Sequence, residues 1–425
     1  MLPPDVIGEI RNIPQMSFSK AFEMDFHGGI PGFESIESES RSDLLLQSVI
    51  RKQLTLSLSK MTAPLSQEAA FALSIHLGEN PEWHEITIKD PLLSIVARLS
   101  SRIFLGEELC RDEDWLRVTK SYALSVFNAA PELRLWPRSL RKVVHWFLPH
   151  CTRVRALAKE SRKIIGPVVQ KRREIKRAAL ASGKPIPEFN DALQWAEEEA
   201  GQDFIPEVFQ LSLSLVAIHT TTDLLDQCVL DIAQNPEIVA PLREEIRDVL
   251  RSQGWKKTSL YSMKLLDSCI KESSRMKPLS IVGMRRNVVD DVRLSNGLVL
   301  KKGTCTQMDL YRMRDPDFYE NPNQWDGYRF FKKRLEPGKE NLSQLVATSD
   351  DHLGFGHGIH ACPGRFFAAN EIKVTLCHMI MKYDWKLVPG TDFEPAMTGT
   401  RSNSNPAAQL LMRRRTNVEF DIDSI

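Results

Sequence analysis

Residues 352–365 read HLGFGHGIHACPGR, and the interpretation of the whole chain starts from this stretch. Three glycines stand at alternate positions, where the missing Cβ lets a backbone approach a large flat partner. Cys362 and Pro363 follow, and proline favours the first position of a helix. An apolar-periodic run over 366–383 continues from there. The stretch therefore predicts a glycine-rich loop that presents a cysteine at a helix N-terminus.

A cysteine in that position suits metal binding. The positive end of the helix dipole and its unpaired amides stabilise a sulfur anion, which is the form that binds a metal. A single thiolate on a flat loop suits haem iron. Two other interpretations remain open at this point. One is a structural cysteine buried in a glycine turn. The other is a zinc site with ligands from His352, His357, His360 and Cys362.

The same stretch resembles the haem-binding signature of the cytochrome P450 family. The positions that match it are Phe355, Gly358, His360, Cys362 and Gly364. The resemblance implies that Cys362 is the axial ligand of haem b and that His360 meets a haem propionate. It also implies that the loop around Gly356 lies against the cofactor.

Composition places the chain among ordinary globular proteins. Its 425 residues are 42% hydrophobic, enough to bury a large core. The formal net charge of +1 gives no global attraction to nucleic acid, and we expect no such partner. Seven cysteines without close pairs indicate a reducing compartment. There is no run of 18 or more apolar residues and no signal-peptide pattern at Met1, so we predict no membrane-spanning segment in this chain.

Helical periodicity dominates the sequence. Near the N-terminus it predicts helices at 44–60, 66–77 and 91–105, each bounded by Pro or Gly. Residues 1–45 give only short helices and loops. The sequence contains no internal repeat and no second regime of composition, so we expect a single domain over residues 1–425.

Strand patterns are fewer. Residues 285–310 alternate and contain the turn Ser295-Asn296-Gly297, which predicts a small sheet. Short strands at 385–388 and 409–412 predict a terminal hairpin. The fold class is therefore mainly α with a minor β-sheet region.

A long helix is predicted from Pro206 to Gln234, just before Asn235-Pro236. At 1.5 Å per residue it would be about 43 Å long and cross the whole core. Residues 217–223 in its middle read AIHTTTD, a polar island between apolar runs. One interpretation is a buried threonine cluster whose hydroxyls bond back to the preceding turn.

The threonine island also resembles the oxygen-activating kink of the P450 family. The resemblance implies that Thr221 hydrogen-bonds dioxygen beside the haem and helps deliver protons. Thr220 stands where the family usually has an acid, and Ile218 stands where glycine is commoner. The proton carrier is therefore open among Thr220, His219 and water. The Ile-His-Thr-Thr form resembles fungal monooxygenases of terpenoid pathways.

Glu272 and Arg275 lie one helical turn apart, a spacing that has little specificity alone. In the resembled family such a pair precedes the haem cysteine and is joined by an arginine from an aromatic-rich segment. Residues 325–330, WDGYRF, match that segment and make Arg329 the third member. A buried network of this kind would support the cysteine loop, and removing one partner would cost about 3–5 kcal/mol.

Two groups of basic residues are less specific indicators of function. Residues 131–184 contain fifteen Lys or Arg against three Glu, with aromatic residues around Trp146. A solvated helix face or a nucleic-acid contact would give the same pattern, but basic and aromatic residues together suit an anionic membrane surface. Arg51 and Lys52 could reach a haem propionate, although an exposed basic pair is normally only solvated.

Taken together, the four matching segments between residues 206 and 372 predict the cytochrome P450 fold. By the resemblance it is a triangular helical prism with haem between the threonine helix and the cysteine loop. The implied function is a haem-thiolate monooxygenase that receives electrons from NADPH-cytochrome P450 reductase, so NADPH acts only indirectly. The implied substrate is a lipophilic terpenoid, meroterpenoid or indole-terpenoid, in a pocket that includes residues 281–283.

The family also implies the cytosolic face of the endoplasmic reticulum membrane. Its members carry several tens more N-terminal residues, with a membrane anchor and the first strands, which we expect to be absent from this sequence. A catalytically impaired haem-binding product is therefore one alternative. A peroxide-using or rearranging haem-thiolate enzyme is another, because Thr220 replaces the usual acid.

Overall fold

A computed structural model describes residues 1–37, 41–201 and 203–425. Residues 38–40, in the predicted N-terminal region of loops, lie outside the described residues. The fold is mainly helical with small antiparallel sheets, which confirms the predicted fold class.

Helices account for most of the described residues. In chain order they are α1 (Ile7–Ile10), α2 (Phe18–Phe26), α3 (Arg41–Val49), α4 (Leu58–His76), α5 (Lys89–Phe104), α6 (Glu113–Arg134), α7 (Arg138–Val144), α8 (Pro149–Ala181), α9 (Ala192–Ala200), α10 (Pro206–Gln234), α11 (Val239–Gln253), α12 (Lys257–Ser262), α13 (Lys264–Met276), α14 (Arg329–Arg334) and α15 (Arg365–Lys382).

The strands are short and pair antiparallel. They are β1 (Met16–Ser17), β2 (His84–Thr87), β3 (Val282–Val288), β4 (Val292–Arg293), β5 (Val299–Leu300), β6 (Cys305–Asp309), β7 (Tyr383–Leu387), β8 (Ala396–Thr398), β9 (Arg401–Asn403) and β10 (Gln409–Arg414). Two sheets have three strands, in the orders β1-β3-β6 and β2-β10-β7, and β4-β5 and β8-β9 form two-stranded ribbons.

The helix boundaries predicted near the N-terminus were partly wrong. A π-helical turn, Ile50–Leu54, separates α3 from α4, and α4 continues through Pro64. Proline removes one backbone N–H, and here the carbonyl left without it belongs to Lys60, which is exposed and can be solvated. The predicted break at Pro64 therefore does not occur.

The helix predicted over 206–234 is confirmed with the same bounds as α10. It is long and apolar enough to cross a membrane, but 72% of its most apolar window is buried inside the protein, as in a core helix. It is the only helix of the described residues with that length and composition.

The strand predictions were right in position and incomplete in pairing. The turn at 295–297 joins β4 to β5, as expected. The strands β7 and β10 pair, but the chain between them forms the separate ribbon β8-β9, so they are not a simple hairpin. No sequence pattern predicted β1, whose Met16 pairs with Val288 of β3.

The contact pattern divides the described chain into two compact units. Unit 1 contains Met1–Phe18, Ser57–Val96 and Thr220–Ile425, and unit 2 contains Ser19–Leu56 and Ala97–His219. The expectation of a single domain over residues 1–425 stays a prediction.

Each unit has its own apolar core. In unit 2, α6 and α8 pack around buried side chains such as Val126 and Leu157. In unit 1, the N-terminal segment with Ile7 and Met16 packs against the β3-β6 region through Met308. Burial of such side chains is the main stabilising contribution to folding.

Candidate active site

The cysteine loop is held by its own backbone. Cys362 N–H donates to Phe355 O at 2.8 Å, which closes the loop into a compact turn. Gly356 and Gly358 have φ values of +68° and +75°, in the region that favours glycine. A 3₁₀ turn begins at Gly358 and ends at His360, two residues before the cysteine. His360 itself is partly exposed.

Close packing against protein explains two of the glycines. A Cβ on Gly358 would collide with the backbone carbonyl of Arg11, and one on Gly354 would collide with the hydroxyl of Ser274 on α13. These positions therefore need glycine because protein atoms approach the backbone. The contact of Gly356, Gly358 and Gly364 with a flat cofactor stays a prediction.

Arg11 is a site residue that the sequence did not reveal. Its carbonyl accepts from Ile359 N–H at 3.1 Å, and its guanidinium donates to Nε2 of His357 at 2.8 Å. Nδ1 of His357 then donates to Thr348 Oγ1 at 3.0 Å, which identifies a neutral imidazole. Burial and the charge of Arg11 both lower the pKa of His357.

The helix after the cysteine begins later than predicted. Gly364 is the N-cap of α15 and Arg365 its first residue, so Pro363 is not at the first helical position. Cys362 lies two residues before the cap, in a turn closed by a weak 3.5 Å bond from Arg365 N–H to Cys362 O. The tight turn moves the start of the helix but keeps the backbone N–H groups of Gly364 and Arg365 beside the cysteine.

The surroundings of the Cys362 sulfur act on its pKa in opposite directions, and the net effect is a raised pKa. Burial raises the pKa of the thiol, while the backbone N–H groups of Gly364 and Arg365 and the charge of Arg365 lower it. The side chain nevertheless has an exposed surface. Because the net shift disfavours a free thiolate, a bound metal ion such as haem iron would supply the positive charge that stabilises the sulfur anion.

The zinc interpretation does not fit the geometry. Nε2 of His352 donates to the carbonyl of Lys271 at 3.3 Å, and burial lowers the pKa of His352 to about 3. His357 uses both nitrogens as described above. Across the described residues no group of three or more His, Cys, Asp or Glu side chains could hold a metal ion.

Glu272, Arg275 and Arg329 come together in a buried network. Arg275 donates twice to the carboxylate, from Nε and Nη2, each at 2.8 Å, and Arg329 Nε donates at 3.0 Å. The side chains of Glu272 and Arg275 are fully buried. The remaining donors of Arg275 reach Met313 O and Pro322 O, at 2.7 and 2.8 Å. The network therefore joins α13 to the chain before and within α14.

The threonine island divides between two sides of α10. Thr221 is buried, with 4% of its surface exposed, and Thr222 is buried as well. Thr220 is exposed, as is Val216 one turn earlier. Cys362, Thr220 and Thr221 belong to unit 1. Their predicted roles in oxygen chemistry stay predictions.

His219 is engaged elsewhere. Its Nε2 donates to the carbonyl of Lys120 on α6 at 3.2 Å, and its ring packs edge-on against Phe127 at 6.2 Å between centroids. A ring nitrogen tied to a backbone carbonyl is poorly placed to carry protons. Of the open candidates, Thr220 and water remain.

A second polar cluster on α10 was not predicted. Asp223 Oδ1 accepts from Lys89 Nζ at 2.7 Å and from Ser404 Oγ at 3.0 Å. Asp226 is fully buried, and no described residue gives its carboxylate a hydrogen bond of normal geometry. Burial raises the pKa of Asp226 to about 7, although nearby Ser404 lowers it. Because the Ser404 hydroxyl donates to Asp223, burial dominates at Asp226, and its raised pKa favours the neutral acid below about pH 7.

The structure shows the surroundings of Arg51 and Lys52 and of the basic region 131–184. Arg51 is exposed on the π-helical turn, and the neighbouring Lys52 pairs with Glu199 of α9 at 2.6 Å. Lys52 is therefore engaged in an ion pair within unit 2. A propionate contact for Arg51 stays a prediction. Around α7, large apolar side chains are exposed, including Leu135 at 85% and Phe147 at 80%.

The segment predicted to line a substrate pocket lies beside the β8-β9 ribbon. Ile281 is 49% exposed, and its N–H donates to Thr400 O at 2.9 Å. Ser280 Oγ donates to the same carbonyl at 2.7 Å. The tip of the ribbon is therefore fixed to the residues that follow α13.

Comparison with known proteins places these features in context. A model of the Cytochrome P450 family matches residues 42–412. The chain is 50% identical to Cytochrome P450 monooxygenase hepE of Aspergillus oryzae, over 98% of this chain and 76% of that protein. It is 47% identical to Cytochrome P450 monooxygenase 1 of Gibberella fujikuroi, over 98% of this chain and 95% of that protein.

A solved structure supports the fold alone. The retinoic acid-bound cyanobacterial CYP120A1 resembles this chain with a TM-score of 0.65 and 20% sequence identity. The match covers 97% of this chain and 87% of that chain. The helical architecture with minor sheets is thus shared at low identity.

Proposed function

Because this chain belongs to the cytochrome P450 family of monooxygenases, we propose that it uses a haem held by Cys362 to oxidise a lipophilic secondary metabolite. The observation that carries the proposal is Cys362, an exposed residue at the end of the glycine-rich loop, whose sulfur is approached by the backbone N–H groups of Gly364 and Arg365. The family implies haem, and bound haem supplies oxygen activation through its iron.

The residues of the chain have separate tasks in this function. Cys362 would hold the haem iron and donate electron density to it from the sulfur, and the backbone N–H groups of Gly364 and Arg365 lower the pKa of that sulfur. His360 would meet a propionate, and Phe355 with Gly356, Gly358 and Gly364 would border the cofactor. Thr221 would hold a proton near the reacting oxygen, with Thr220 or water resupplying it.

Replacement of Cys362 tests the axial role. Cys362→Ser removes the only sulfur of the loop, so we expect the thiolate-type band of the reduced carbon-monoxide difference spectrum to be lost. Cys305→Ser is the matched control, because Cys305 is the other exposed cysteine among the described residues. An unchanged spectrum in Cys362→Ser would remove the assignment, whatever the activity.

The substrate proposal is narrower than the family. A terpenoid, meroterpenoid or indole-terpenoid is favoured by the resemblance of residues 218–221, Ile-His-Thr-Thr, to fungal terpenoid-pathway enzymes. The relatives compared above are fungal as well. Deletion of the gene followed by metabolite profiling tests this. Accumulation of an unoxidised terpenoid intermediate supports the proposal, and accumulation of a compound without an isoprenoid part contradicts it.

The electron donor is proposed to be NADPH-cytochrome P450 reductase. A second candidate function is that of a peroxide-using or rearranging enzyme. It is favoured because the position before Thr221 carries an exposed alcohol, Thr220, and because His219 is bonded to a backbone carbonyl. Turnover measured with reductase and NADPH, and separately with hydrogen peroxide, distinguishes the two. A catalytically impaired haem protein would bind haem and show neither activity.

The exposed apolar residues around α7 are proposed to contact the cytosolic face of the endoplasmic reticulum membrane. Trp146 and Phe147 are 54% and 80% exposed, within the basic region 131–184. Apolar burial and attraction of lysine and arginine to anionic headgroups would act together. Binding to phosphatidylserine vesicles should fall in a Trp146→Ser, Phe147→Ser double variant and persist in Leu342→Ser, an exposed control elsewhere. Equal binding by both variants would contradict this contact.

A further inference from the structure

The helix α13 carries a second buried charged side chain, Lys271, directly before Glu272. Lys271 is 1% exposed, and its ammonium group donates to three backbone carbonyls, Leu342 O at 3.2 Å, Gln344 O at 2.8 Å and Ala347 O at 3.5 Å. The same group lies 4.8 Å from the centre of the Phe330 ring. One side chain therefore hydrogen-bonds to three carbonyls of a six-residue loop, 342–347.

Asp267 holds the same loop from the previous turn of α13. Its Oδ2 accepts from the N–H of Leu345 at 2.8 Å and from Arg334, and its Oδ1 accepts from Lys373 of α15 at 2.6 Å. Burial alone would raise the pKa of Asp267, but Lys373 and Arg334 lower it, so the carboxylate is charged. Two buried ionisable side chains of α13 thus bind both an N–H and the carbonyls of the loop.

Burial makes the charged form of Lys271 unfavourable, so the contacts that hold its ammonium group are of interest. Burial lowers the pKa of Lys271 to about 7, while Asp267 and Asp351 raise it and Lys333 and Arg334 lower it further. No described carboxylate makes a salt bridge with Lys271, and carbonyl dipoles satisfy its three N–H donors. A buried ammonium bonded only to one loop fixes the geometry of that loop.

The loop in turn holds Arg365. Nε of Arg365 donates to Val346 O at 3.1 Å, inside the loop, and Nη1 donates to Cys362 O at 2.8 Å. The Arg365 charge also acts on the Cys362 sulfur. A continuous chain of contacts therefore runs from Lys271 and Asp267, through loop 342–347 and Arg365, to the cysteine.

We propose that Lys271 and Asp267 are positioning residues for Cys362, which fix Arg365 over the cysteine turn through loop 342–347. The inference rests on the proposed role of Cys362 as axial ligand. In this proposal, two groups of buried side chains stabilise the cysteine loop in different ways. The Glu272 network joins α13 to the segment around α14, and the Lys271 anchor controls the immediate surroundings of the sulfur.

The test uses the haem-loaded protein and two measurements that do not depend on turnover. Lys271→Met keeps the length of the side chain and removes its three donors. We expect the thiol-type share of the reduced carbon-monoxide spectrum to rise severalfold at fixed pH. Exchange of the Leu345 amide should accelerate about tenfold or more, since the loop opens more easily. Lys271→Arg, which retains donors, should restore most of the wild-type spectrum.

Lys264→Met is the matched control. Lys264 lies on the same helix, is 40% exposed, and pairs with Glu340 just before the loop at 2.9 Å. It should leave both measurements unchanged. If Lys271→Met takes up no haem, Lys271→Gln replaces it and is judged by the same two measurements. A wild-type spectrum in the Lys271 variant, despite faster Leu345 exchange, would overturn the proposal.

A double-variant cycle tests the route through Arg365. Lys271→Met and Arg365→Met act on one chain of contacts, so their combined effect on the thiol-type share should be no larger than the bigger single effect. Additive effects would show that Lys271 does not act through Arg365, which contradicts the inference. Failure of the axial assignment is distinguishable, because wild type and Lys264→Met would then also lack the thiolate-type band.

Discussion

Glu272→Gln is the most informative perturbation of the structural network. Glu272 Oε1 accepts from Arg275 Nη2, Arg329 Nε and Asp326 N–H, at 2.8, 3.0 and 3.1 Å, and Oε2 accepts from Arg275 Nε at 2.8 Å. A glutamine oxygen in place of Oε1 can still accept the three hydrogen bonds from Arg275 Nη2, Arg329 Nε and Asp326 N–H. Its NH₂ group, however, would then face the Arg275 Nε donor. The substitution therefore removes the carboxylate charge from between Arg275, which is fully buried, and Arg329, whose side chain is 13% exposed.

The expected cost follows from those contacts. Losing one charge-assisted hydrogen bond costs about 1.5–3 kcal/mol, and leaving a buried charge unpaired brings the total to about 3–5 kcal/mol. The carbonyls of Met313 and Pro322 still bind Arg275, so we expect a value toward the lower end. That is a large part of the roughly 5–15 kcal/mol by which a native protein is stable.

Urea unfolding followed by circular dichroism, together with haem content per protein, measures this effect. Glu244→Gln is the matched control, because Glu244 and Arg247 have the same i, i+3 spacing on α11, but Glu244 is 71% exposed and the pair is 3.9 Å apart. The control should leave the unfolding midpoint unchanged. A loss below about 1 kcal/mol in Glu272→Gln, with normal haem content, would refute the reasoning about buried charge.

Three further outcomes are expected. Thr221→Ala should retain haem but form less product per NADPH consumed, with Thr222→Ala as the buried neighbour for control; full coupling would move the role to Thr220 or water. Gly358→Ala should lower the thermal midpoint and haem content more than Gly390→Ala, because both have positive φ (75° and 80°) but only Gly358 faces a backbone carbonyl. Equal losses would show that backbone strain alone is responsible.

For Asp226, the raised pKa means that the native state binds more protons than the unfolded state between about pH 4 and about pH 7. Its contribution to stability is therefore complete below the unfolded pKa and is lost as pH rises through about 7. Asp226→Asn should thus stabilise the protein more at about pH 8 than at about pH 5, by at most about 4 kcal/mol. An equal effect at both pH values in urea unfolding would contradict a neutral buried acid.

Much of the architecture follows from local sequence patterns. The bounds of α10 are encoded by Pro206 at its start and Asn235-Pro236 after its end, and the β4-β5 turn is encoded by Ser295-Asn296-Gly297. Such signals are local, because a proline or a tight turn acts on the residues next to it. Pro64 shows the limit, since an exposed carbonyl let α4 continue through it.

The motifs also predicted which residues matter around the cysteine loop. The spacing of Glu272 and Arg275, with the aromatic segment that contains Arg329, predicted a network that the structure brings together. The sequence also singled out Cys362 as the thiolate candidate. These are contacts for which residue type and order along the chain carry the information.

Tertiary structure alone decided the supports of the loop. Arg11 lies 347 positions before Gly358, and Lys271 binds carbonyls more than 70 positions away, so no local pattern could connect them. Backbone carbonyls are present at every residue, and only the fold selects which ones a buried ammonium meets. The same holds for Asp226, whose raised pKa depends on burial and on the direction of the Ser404 proton. The sequence thus determined the chemical groups, and packing determined their protonation and partners.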